Sequence, residues 1–233
     1  MLPKILTPEF ETTIPSTEQK IRFRPFLVKE EKVLYMALEG GTPQDIYRAV
    51  VSILESCILT PGVDPTKFTS YDLEYLFLML RAKSVGEVIT VRLKHQEPSD
   101  CGHATEVSIN IDDIGVEKNA AHVNKIDLGN GIGIKLRDPT APALMSTATN
   151  QVDKTFELIY ACVEYVYDKD NVYNEFTHEE LVEFITSMNK DQFEKIVSFF
   201  NTLPKVIYQT SFKCEQCSKV EDVVLEGLQS FFI

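Results

Sequence analysis

Apolar positions recur along this chain with two different periods, and the switches between them mark the predicted elements. Residues 1–20 follow neither period. Pro3, Pro8 and Pro15 stand among threonines there, which predicts an extended arm, disordered when free or laid on a partner. Helical spacing runs from Glu30 to Leu38 and stops at Gly40-Gly41. Thr42-Pro43 supplies an N-cap and a first-turn proline for a helix over 43–58, with Ile46, Val50, Ile53, Leu54 and Cys57 at helical spacing. Leu59-Thr60-Pro61-Gly62 ends it. Thr69 or Ser70 caps the next helix, which carries Asp72 and Glu74 in its first turn, where the helix dipole favours acid. From Tyr71 to Ala82 this helix is apolar nearly all round, the pattern of a central core helix or of one partly covered by another chain. Leu73, Leu76, Phe77 and Leu80 are its expected centre, with Arg81 and Glu87 at its edge.

After Ser84-Val85-Gly86 the period falls to two. Val88, Ile89, Val91 and Leu93 form one predicted strand, and Val107, Ile109 and Ile111 another. Leu128 to Ile132 predicts a hairpin with an Asn-Gly turn at Asn130-Gly131. Helical spacing then returns as a long helix over 141–168, through Phe156, Ile159, Tyr160, Val163 and Val166. Capping boxes at Thr177-x-x-Glu180 and Asn189-x-x-Gln192 open two more helices before Pro204. Strands near 206–212 and 220–225 follow. Phe231-Phe232-Ile233 forms an apolar tail with two equal readings, core packing or docking on a neighbour.

The predicted fold class is α+β: a mostly helical domain with an inserted zinc-ribbon-like antiparallel β module built from two separated hairpins. Five segments follow: the arm (1–20), a helical region (21–87), the first ribbon half and the following hairpin (88–137), a second helical region (138–204), and the second ribbon hairpin with the tail (205–233).

The ribbon carries the candidate chemistry. Cys214-x2-Cys217 spaces two sulfurs to face one ion, and His95 and Cys101 occupy matching places around the earlier turn. His95, Cys101, Cys214 and Cys217 together make a tetrahedral set suited to structural zinc. His103 is a rival for His95, since Cys101-x-His103 can also reach one ion. Two plain hairpins with reduced thiols are the bland alternative. A redox Cys-x-x-Cys would normally open a helix in a βαβ setting, whereas strand-like residues flank this one.

Composition narrows the function classes. A chain of 233 residues, 44% hydrophobic and 25% charged, suits one large globular domain or two small ones. No apolar run approaches a membrane span, and none follows Met1-Leu2-Pro3-Lys4 as in a signal peptide. The cysteine count of five is odd, and Cys57 and Cys162 fall in apolar helical patterns as buried thiols. A reducing, intracellular compartment is expected. A net charge of −12 opposes general nucleic-acid binding, which needs cations to displace phosphate counterions. Lys20, Arg22 and Arg24 are the one basic cluster; their alternation with Ile21 and Phe23, ahead of Phe26, suits an edge strand or docking segment.

No catalytic constellation stands out. Glu179-Glu180 and Asp112-Asp113 are sequence neighbours whose side chains point apart, and His122 and His178 sit in polar contexts. Gly-x-Ser-x-Gly, phosphate-cradling and His-Glu-x-x-His motifs are missing. A zinc held by four side chains leaves no position for an activated water. The expectation is a protein that is not an enzyme.

The run Ser70-Tyr71-Asp72-Leu73-Glu74-Tyr75-Leu76-Phe77-Leu78-Met79-Leu80-Arg81-Ala82-Lys83-Ser84-Val85-Gly86-Glu87 resembles the baseplate hub and hub-assembly proteins of T4-like contractile-tailed bacteriophages. In that family a similar segment precedes a cysteine-bearing hairpin. Phe23 to Lys32 resembles the family's N-terminal part, and the resemblance covers residues 20–225; His95 stands where the family pattern has cysteine. The resemblance implies a non-enzymatic structural or assembly role, with hub or tape-measure proteins as partners and an oligomeric setting in the assembly. It implies no membrane, and a location in the host cytoplasm during assembly or in the virion tail baseplate. Residues 1–20 and 229–233 are the expected contact elements. The rival reading, a nucleic-acid-binding zinc ribbon, needs basic surroundings. Here Lys94, Lys213 and Lys219 mix with Glu97, Asp100, Glu106, Glu215, Glu221 and Asp222. A metal hydrolase would need an open coordination position.

Overall fold

Thr69 offers its hydroxyl oxygen to the Asp72 N–H, and Asp72 returns its carboxylate to the Thr69 N–H and hydroxyl. That capping box starts the helix around which the larger core is built. The computed structural model describes residues 5–95, 101–145 and 150–231. Its first part comprises strands β1 (Phe10–Thr13) and β2 (Lys20–Phe23) and helices α1 (Val28–Gly40), α2 (Pro43–Cys57) and α3 (Ser70–Ser84). Strands β3 (Val88–Lys94), β4 (Ala104–Asn110), β5 (Gly115–Glu117), β6 (Lys125–Gly129) and β7 (Ile132–Leu136) follow. Then come α4 (Ala141–Leu144), α5 (Gln151–Cys162), β8 (Val163–Tyr167), β9 (Val172–Tyr173), α6 (His178–Thr186) and α7 (Lys190–Asn201). Strands β10 (Lys205–Lys213) and β11 (Val220–Glu226) lead to a 3-10 turn at Leu228–Phe231.

Among the described residues all strand pairs are antiparallel, in four small sheets: β1-β2, β3-β4, β11-β10-β5 and β6-β7-β8-β9. The fold is α+β as expected. The two hairpins expected to form the ribbon, β3-β4 and β10-β11, lie in separate sheets, and β10 pairs on its other side with β5.

Buried side chains gather in two clusters. The larger surrounds α3, where Leu73, Phe77 and Leu78 are fully enclosed and Leu76 and Leu80 nearly so. It takes in α2, the β1-β2 and β3-β4 hairpins and the C-terminal turn. The smaller packs β6, β7 and β8 against α5, α6 and α7 through Ile134, Leu136, Ile159, Ile185 and Ile196. Asp138 joins the two: its carboxylate accepts from the Tyr71 hydroxyl at 3.0 Å and lies 3.4 Å from His122 Nε2. The His122 ring in turn packs on Phe199, centroids 4.9 Å apart.

Three expectations change. The long helix over 141–168 is two helices and a strand. Val163 to Tyr167 pairs with β7 on one side and β9 on the other. Its β-branched and aromatic residues suit a pleated sheet, and Ile134 and Leu136 of β7 gain a hydrogen-bonded neighbour. The arm over 1–20 is, from Phe10 onward, half of a hairpin. Ile14 is buried, and the Ser16 N–H donates to Asp72 Oδ1 at 2.9 Å. Phe231, read equally as core or docking surface, is core at 2% exposure; Phe232 and Ile233 lie outside the described residues, as do Met1 to Lys4. The basic cluster sits on and just after β2. Arg22 pairs with Glu9, and Arg24 with the buried Glu30 at 2.9 Å.

Candidate metal centre

The β3-β4 register sets Lys94 opposite Ala104, so His95 and His103 leave the hairpin at facing positions. The β10-β11 register sets Lys213 opposite Val220, so Cys214 to Lys219 form the tip of the second hairpin. Each tip holds a residue at positive φ. Gly102 takes φ 60° between Cys101 and His103, a conformation favouring glycine. Ser218 takes φ 63°, and its N–H donates to the Cys214 carbonyl at 2.9 Å.

These turns bring His95, Cys101, Cys214 and Cys217 together, with one ligand atom of each within 4.8 Å of all the others. Cys101 Sγ lies 3.8 Å from Cys214 Sγ, and His95 Nε2 lies 3.3 Å from Cys217 Sγ. Zinc–sulfur bonds of about 2.3 Å at tetrahedral angles set sulfurs about 3.8 Å apart, so the thiol spacing fits such an ion. Three sulfurs and one imidazole are also donors that soft or borderline metals prefer. The cluster could hold a metal ion. His95 and Cys214 are buried, Cys101 is half-buried and Cys217 exposed. Residues 96–100 lie outside the described residues.

His103, the rival for His95, lies outside this set and has its Nε2 3.6 Å from a Glu215 carboxylate oxygen. The remaining thiols differ in kind. Burial pushes Cys57 up to about 11 and Cys162 up to about 12, as suits inert core thiols. At the centre, the Cys217 backbone N–H draws the Cys214 thiol down to about 6, helped by the Gln216 N–H and the neighbouring thiols against burial. The His103 backbone N–H lowers Cys101. Burial and the thiols of Cys214 and Cys217 outweigh it and hold Cys101 above the ordinary thiol value. Backbone donors thus favour anionic sulfur where a cation would sit, while thiol crowding opposes a second charge until a cation compensates it.

The sequence left the long-range contacts of two acids unseen. Asp72 and Glu74 read as ordinary first-turn acids of α3, yet Asp72 holds the β1-β2 turn and Glu74 holds both α2 and the C-terminal turn.

A family model described as T4 bacteriophage base plate protein matches residues 7–233. No curated protein and no solved structure matches the chain.

Proposed function

We propose that this chain, which belongs to the T4 bacteriophage base plate protein family, is a non-enzymatic structural or assembly protein of the baseplate hub that works by binding other tail proteins. The observation that carries this reading is the family match, which spans residues 7–233 and so covers both cores. A second feature agrees with it. Val28, Tyr35 and Met36 of α1 are 80%, 58% and 67% exposed, and Val85 is 62% exposed. Apolar surface of this kind is costly in an isolated chain and suits one covered in an assembly.

The metal in this reading is zinc, held by His95, Cys101, Cys214 and Cys217. Four protein ligands close its shell, so it supplies cross-linking rather than Lewis-acid chemistry. It joins hairpin tips whose cysteines are separated by 113 positions, which removes unfolded-chain entropy where the sheets are small. Partners are hub or tape-measure proteins, in the host cytoplasm during assembly and then in the virion tail.

The alternative of a nucleic-acid-binding ribbon draws little support from the charges at the centre. Arg92 is paired with Glu106, and Glu215 stands beside His103. Among the described residues, no helix is long and apolar enough to cross a membrane.

The test is quantitative mass spectrometry of baseplate intermediates isolated from infected cells. The chain should co-purify with hub intermediates at a fixed ratio. Its absence from every intermediate, early and late, overturns the reading.

A further inference from the structure

A groove of about 330 Å³ opens between the edge of the four-stranded sheet and α6. Tyr167, Tyr173, Phe176 and Phe184 supply aromatic surface, and Glu175 and Glu180 supply carboxylates. Among the described residues, no salt bridge reaches either glutamate. Asp168 also lines the groove, but its oxygens are occupied: they accept from the N–H groups of Asp170 and Asn171 and from the Tyr173 hydroxyl. That last bond, at 2.7 Å, fixes the Tyr173 ring. Glu180 spends one oxygen on the Thr177 N–H of its capping box and keeps the other. The groove therefore presents rings for an aliphatic stem and uncompensated negative charge for a cationic head, on a chain of net charge −12. The same sheet already seats cations on tyrosines, with Lys125 Nζ 4.6 Å from the Tyr167 ring centre and Lys135 Nζ 5.6 Å from that of Tyr165, so Tyr173, Phe176 and Phe184 are the rings offered to a further cation.

We infer that this groove binds an arginine side chain, flanked by apolar residues, on a segment of another baseplate protein. The inference rests on the protein-binding role proposed above and names the chemistry of one partner. Arginine fits better than lysine because its planar guanidinium stacks on aromatic rings and forks onto a carboxylate. Both glutamates are exposed in the free chain, and an apolar residue alone would take water from them without offering a counter-charge.

The experiment titrates isotope-labelled full-length protein with two end-blocked synthetic tripeptides, Phe-Arg-Leu and Phe-citrulline-Leu, followed by NMR. Citrulline keeps the size and planarity of arginine without its charge, with a carbonyl acceptor in place of one NH2 group of the fork. The arginine peptide should move the resonances of Tyr173, Phe176 and Phe184 and bind about tenfold more tightly than the citrulline peptide. That preference should vanish in a Glu175→Gln, Glu180→Gln double variant that keeps its circular dichroism. If the double variant does not fold, Glu175→Gln alone, outside any helix, should still shrink the preference. Equal affinities, shifts centred elsewhere, or no binding by either peptide overturn the inference. Such a failure leaves the baseplate reading standing, because that is read from hub intermediates. A chain absent from those intermediates but still selective for the arginine peptide would instead fail the baseplate reading alone.

Discussion

The Tyr47 hydroxyl donates to Glu74 Oε1 at 2.9 Å, and the Leu228 backbone N–H donates to the same carboxylate. One glutamate on α3 thereby holds α2 and the C-terminal turn. Burial raises the pKa of both groups. Tyr47→Phe keeps the ring but removes one donor from a largely enclosed carboxylate. Thermal or denaturant unfolding should show a loss of about 1–3 kcal/mol. An unchanged midpoint would mean that this bond contributes nothing net.

Glu74 also gives stability a pH dependence of definite sign. Burial, with the nearby Glu226 carboxylate, holds its proton more tightly in the folded chain, against the hydrogen bonds from Tyr47 and Leu228. Its contribution is full below the unfolded glutamate pKa of about 4.3 and is lost as pH rises through the folded value. Glu74→Gln keeps an acceptor and cannot titrate. The stability of wild type relative to this variant should fall as pH rises above the unfolded glutamate pKa of about 4.3. A pH-independent difference would contradict the assignment.

The N-terminal hairpin belongs to the body. Ile14 is 2% exposed, and Asp72 grips the Ser16 N–H. Deleting residues 1–20 should lower stability by at least about 2 kcal/mol from lost apolar burial alone, before the capping contact is counted. A truncated chain that melts with the full chain would restore the picture of a detachable arm.

Zinc is tested by its stoichiometry. Protein purified without chelator should carry close to one zinc per chain, and Cys214→Ser should lose it and melt earlier. His103→Ala should keep the metal, because His103 faces Glu215. Loss of zinc in His103→Ala with retention in His95→Ala would reverse the choice of histidine.

Legibility in the sequence followed locality. The starts of α2, α3, α6 and α7 were readable because each capping box closes within four residues: Thr42 with Asp45, Thr69 with Asp72, Thr177 with Glu180 and Asn189 with Gln192. The four clustered side chains were readable from ligand spacing and from the likeness of the two turns. Strand β8 was not, because Ile159, Val163 and Val166 keep helical spacing straight through the junction at Val163. What decides there is the hydrogen-bonding edge of β7, far away in sequence. The β1 strand was hidden for the same reason: its order depends on β2 and on Asp72. The joining of the two cores turns on contacts such as Asp138 with Tyr71, 67 positions apart, which no local pattern carries.

The chain is proposed to act in baseplate assembly by binding other tail proteins. The most direct measurement counts sheathed tails by electron microscopy after infection with phage whose copy of this coding sequence is interrupted. Intact baseplates should be missing and should return when the wild-type chain is supplied in trans. A normal yield of complete tails without the chain would contradict the account.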